Sequence, residues 1–204
     1  IILIDPKGDK ELKEIAEQGC ITAGRPDAFM YFHPAFPSKS VRIDPLKNWG
    51  RTTEFASRTS GLMVADDSFK AMSWQAVHFI SDALVYIDKA PTLMKVRQYL
   101  EGGPEGLMER VFKVFFASRD PRWETLVAPF IKDAKDNKKG GQKAVPNATP
   151  ELLAYIQYYR QQISDDQDDP VVSGLLSMVE HNREHLGKIL ACLMPLLVKL
   201  TAGE

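Results

Sequence analysis

The order of apolar and polar residues changes rhythm along this chain. Near the start, short apolar runs stand between turn residues. "IILI" (Ile1 to Ile4) runs into Asp5, Pro6, Lys7, Gly8 and Asp9. An all-apolar run ended by turn residues predicts a strand covered on both faces, as inside a parallel sheet. Asp9 then caps a helix whose apolar face carries Leu12, Ile15 and Ala16, with Gly19 as its terminator. A second strand is predicted over Ala28 to Phe32 and a third over Val41 to Ile43, stopped by Pro45. Strand, helix, strand, strand is α/β grammar, though only part of a sheet.

From about Thr52 the period becomes helical. "TTEFASRTSGLM" predicts a helix capped by Thr52 or Thr53. "SFKAMSWQAVHFISDALVYID" predicts a long one capped by Ser68, its core side marked by Trp74, Val77, Phe79, Ile80, Leu84 and Ile87. "TLMKVRQYLEGG" ends at Gly102 and Gly103. "PEGLMERVFKVFFAS" and "PRWETLVAPFIKDA" each open with a proline at an early helical position. "TPELLAYIQYYRQQI" has Thr149 as cap and Pro150 at its first position. The last stretch, Val171 to Leu200, reads as one long helix with a kink near Pro195. No strand is predicted after residue 50. The expected fold is therefore mostly α, a partial α/β segment followed by an all-helical domain of roughly 140 residues.

Composition changes this picture little. The chain has 204 residues, 44% hydrophobic and 26% charged, with a formal net charge of −1. That is a globular composition, and no global charge excess points to nucleic acid or membrane, so such a role must come from local patches. Cys20 and Cys192 lie far apart, with no metal spacing and no disulfide framework. The apolar stretch Ile189 to Leu200 falls short of the about 20 residues a membrane span needs.

Four local patterns carry candidate chemistry. "HNREH" places His181 and His185 four apart on one helix face, with Glu184 as a possible general base of a zinc hydrolase; the plainer alternative is a solvated helix face. A basic linker with Lys135, Lys138, Lys139 and Lys143 precedes Tyr155, Tyr158 and Tyr159, with Arg160, a combination that suits single-stranded nucleic acid. Composition by itself favours a solvated loop beside inward-packing tyrosines. The acidic turn Asp165, Asp166, Asp168 and Asp169 could face a basic protein. Asp5, Lys7 and Asp9 sit at the carboxyl end of the first predicted strand, where open α/β sheets bind ligands, though an ordinary capping turn explains them too. No Walker phosphate loop and no Ser–His–Asp or Cys–His set stands out.

"IILIDPKGD", "FHPAFPSKSVRIDPL", "EFASRTSGLM", "SFKAMSWQAVHFISDALVYIDKAPTLMKVRQYLEGG" and the closing "HLGKILACLMPLLVKLTAGE", in this order, resemble the conjugative coupling proteins of the TraD/TraG type. The similarity is greatest to the TraD coupling factors of integrating conjugative elements. "DPKGD" and the "DPL" at Asp44 to Leu46 are its best short marks, the latter departing from the expected Asn-Pro-Leu.

The resemblance implies a partial RecA-like nucleotide-binding segment over residues 1–65, lacking Walker A and Walker B, and an all-alpha domain over 66–204. It implies a membrane-anchored, homo-hexameric motor at the cytoplasmic side of the bacterial inner membrane. With ATP and Mg, such a motor passes DNA, led by a relaxase, to a type IV secretion channel. This segment would hold no cofactor and hydrolyse nothing, and its exposed strands would let it self-associate. Asp5, Lys7 and Asp9 would lie near the nucleotide or the subunit interface. The helical domain would meet DNA through Lys138, Lys139, Lys143, Tyr158, Tyr159 and Arg160, or a relaxosome protein through Asp165, Asp166, Asp168 and Asp169. A zinc hydrolase and a non-catalytic helical adaptor are the alternatives.

Overall fold

The structure is a computed structural model that describes residues 1–42, 46–136, 145, 147–180 and 183–202, with the side chains of 165, 183–186, 188 and 189 left aside. The chain divides into two compact units, Ile1–Lys47 and Asn48–Glu204.

The first unit is built around one helix, α1 (Lys10–Thr22). The Asp9 carboxylate accepts from the backbone N–H of Glu11 at 2.8 Å and of Leu12 at 3.4 Å, the expected cap. Its end differs from expectation. The helix runs through Gly19 and stops at Thr22, where Gly24 takes the left-handed conformation (φ 70°). The N–H of Arg25 reaches the Cys20 carbonyl and that of Gly24 the Ile21 carbonyl, both at 2.9 Å, a Schellman closure that needs positive φ at residue 24 rather than at 19.

The strand readings are corrected. Among the described residues there is no strand. Ile1, Ile2 and Ile4 are almost fully exposed and Leu3 is more than half exposed. Pro26–Ala28 forms a short 3-10 turn, Phe29 after it is extended, and among the described residues Tyr31 meets the returning chain through one backbone bond, Val41 N–H to Tyr31 O at 2.8 Å. The Ser40 hydroxyl supports that contact, accepting from His33 N–H at 2.9 Å. Ile43 lies outside the described residues. A strand exists only through its neighbours, and one backbone bond among the described residues does not make a ladder. None of the described residues of this unit is buried.

The second unit is helical and has a core of its own. In chain order it contains α2 (Thr52–Ser60), α3 (Asp67–Tyr86), α4 (Leu93–Gly102), α5 (Glu105–Arg119), α6 (Trp123–Asp136), α7 (Pro150–Gln162), α8 (Pro170–Glu180) and α9 (Arg183–Thr201). The long helix α3 is central and packs on α2, α4, α5, α8 and α9. Phe55, Ile80, Leu84, Leu107, Phe112, Leu152, Leu175, Leu193 and Leu197 are fully buried along these seams. Of the core side expected for α3, Val77, Ile80, Leu84 and Ile87 are buried, while Trp74 and Phe79 stay half-buried. Phe55 and Ala56 of α2 are fully buried and α2 packs on α3, so α2 belongs to this compact unit, which begins at Asn48.

Helix ends mostly follow local chemistry. Thr149 caps α7, accepting from Leu152 N–H at 3.0 Å, with Pro150 at the first position. Gly103 (φ 95°) ends α4. Four ends differ. Arg51 and Asp66 occupy the cap positions of α2 and α3, without side-chain caps, so Thr52 and Ser68 fall inside their helices. Pro104 is itself the cap residue of α5. Pro121 stands before α6, where Asp120 accepts from Arg122 N–H at 2.8 Å. Of the helix expected over Val171 to Leu200, Pro170–Glu180 (α8) and Arg183–Thr201 (α9) are helical, residues 181 and 182 lie outside the described residues, and α9 continues through Pro195.

Candidate functional site

The turn after the first apolar run is closed by its own carboxylates. Asp5 accepts the backbone N–H of Asp9, of Lys7 at 3.0 Å and of Gly8 at 3.1 Å. Those bonds, that of Asp9 foremost, hold its carboxyl below the usual carboxylate range. Gly8 sits at φ 72°, and a side chain there would face His33 Nε2 at 3.6 Å. Asp9 caps α1. Both carboxylates therefore order backbone, and Lys7 and Asp9 are exposed. Beside them Lys13 lies over the Tyr31 ring, 4.5 Å from its centroid, and the Tyr31 and His33 rings stack at 6.2 Å.

The residues assigned to DNA are only partly brought together. Lys138, Lys139 and Lys143 lie outside the described residues. Lys135 pairs with Glu151 of α7 at 3.0 Å, which lowers the Glu151 pKa. Tyr158 is half-buried and meets Phe116 and Phe130 edge-on at 5.1 and 5.4 Å. Tyr159 is buried among Phe112 and Phe115, each at 5.4 Å, and donates its hydroxyl to Asp168. Arg160 grips both oxygens of Glu180 on α8 at 2.7 Å. Tyr159 is thus a core ring and Arg160 a tie between helices, while Tyr158 keeps a partly open face.

The acidic turn is held from three helices. Tyr159 of α7 donates to Asp168, Arg119 of α5 donates to the Gln167 carbonyl, and Tyr86 of α3 stands near Asp169. Asp169 also caps α8, accepting from Val171 N–H at 2.9 Å and Val172 N–H at 3.4 Å. Arg119 lies over the Phe115 ring at 4.1 Å. Burial foremost, then Asp168, raises the Tyr159 pKa; burial and Asp169 raise that of Tyr86. Asp166 is exposed, and the side chain of Asp165 is outside the described set. This convergence joins residues far apart in sequence. Only the Asp-Pro cap before α8 is a local signal for it.

His181 and the side chains of Glu184 and His185 lie outside the described residues, so the "HNREH" reading falls there too. Among the described residues no three metal-ligating side chains cluster, and no helix is long and apolar enough to cross a membrane. Sequence reasoning missed one row on α3. Trp74 donates its ring N–H to Ser57 of α2 at 2.9 Å and packs on His78 at 4.8 Å, and His78 Nε2 lies 3.3 Å from Asp82. The spacing of four that links residues 74, 78 and 82 was its available signal. Among the described residues, His78 Nδ1 is buried without a hydrogen-bond partner.

No family model, curated protein or solved structure matches this chain.

Proposed function

We propose that the chain is a segment of a conjugative coupling protein, in which an all-alpha recognition domain adjoins part of a RecA-like motor domain. What supports this reading is the contrast between the two units. The second closes a core of its own, as an inserted domain must. The first carries "DPKGD" after an apolar run and leaves Ile1 to Ile4, Met30 and Phe32 exposed, the condition of strands whose sheet neighbours lie elsewhere. The longer protein would be a membrane-anchored, hexameric DNA-translocating ATPase using ATP and Mg at the cytoplasmic face of the inner membrane, feeding a type IV secretion channel. Within it the helical domain binds, through the basic stretch and Tyr158 if the partner is DNA, or through the turn at Asp166 if it is a relaxosome protein.

Fluorescence anisotropy of labelled single-stranded and duplex DNA against this chain, at low and moderate salt, tests the proposal. DNA recognition predicts binding that falls steeply with salt, because neutralised phosphates release counterions. Lys138→Gln, Lys139→Gln and Lys143→Gln together should weaken it for every sequence, and Tyr158→Ala should weaken the single-stranded complex selectively. Absence of binding at low salt removes DNA as the partner, and titration with a purified relaxase then decides whether the recognition reading stands at all.

A further inference from the structure

We draw no further inference here: the strongest candidate, the exposed apolar surface of the first unit formed by Ile1 to Ile4, the α1 side chains Leu12 and Ile15, and Met30 and Phe32, carries nothing because nothing in the structure shows what covers it.

Discussion

Tyr159 joins two kinds of structure. Its ring completes the aromatic packing with Phe112 and Phe115, and its hydroxyl anchors the acidic turn at Asp168. Tyr159→Phe keeps the ring and removes the donor. Asp168 is exposed and regains water, so the loss is expected at about 1 kcal/mol, near the net worth of one hydrogen bond. Urea unfolding measures it, and an unchanged midpoint would show that the bond does not hold the turn. The phenols also set an alkaline limit. Burial first, then nearby carboxylates, raises the pKa values of Tyr86, Tyr155 and Tyr159. The unfolded chain releases these protons near pH 10 while the folded chain keeps them. Their contribution is therefore intact below pH 10, and stability falls as pH rises beyond it. Phenolate absorbance followed alongside circular dichroism should show tyrosines ionising together with unfolding; ionisation of all six tyrosines before any loss of helix would contradict this. The caps at Asp9 and Thr149 were legible in the sequence because an N-cap needs only its own next three residues. Inward-packing tyrosines were already the plainer reading there, but not which of the three in "YIQYYRQ": packing buries Tyr155 and Tyr159 and leaves Tyr158 half-buried.

Between elements, the closest approach at a described glycine is at Gly174. A Cβ added there would stand 2.8 Å from the Phe79 ring, where α8 crosses α3. Gly174→Ala gains up to about 1 kcal/mol of helix propensity but overpacks the crossing, which typically loses 1–3 kcal/mol, so a net destabilisation of about 1 kcal/mol is expected. The sign should reverse when Phe79→Ala is present, since the obstructing ring is then gone. Thermal melts of the two single variants and the double variant form the cycle that checks it, and additive effects would mean the ring simply swings aside. Helices α4 to α7 were visible as periodic stretches with Gly or Pro punctuation. Among the described residues the expected strands were not realised, because an apolar run specifies what it will bury and not whether a neighbour is there to bury it.

At the scale of the molecule, the two units differ in whether they complete themselves. Cutting the chain between Lys47 and Asn48 should leave residues 48–204 helical and cooperatively folded, because their core and their predominantly local helical contacts lie within that interval. Residues 1–47 alone should give a coil-like spectrum, having no buried residue among those described. Circular dichroism and a thermal melt of the two pieces decide it; loss of cooperativity in residues 48–204 would mean that the helical unit leans on the first. Periodicity, caps and breakers determined on their own that most of this chain is helical and where most helices begin and end, since those are contests among residues a few positions apart. The tertiary structure decided which side chains face inward, that α2 belongs to the helical unit, and that three distant helices converge on the turn at Asp168 and Asp169. It also left the apolar start without a sheet. Each of these depends on partners far along the chain, and a local pattern holds no record of which surfaces finally meet.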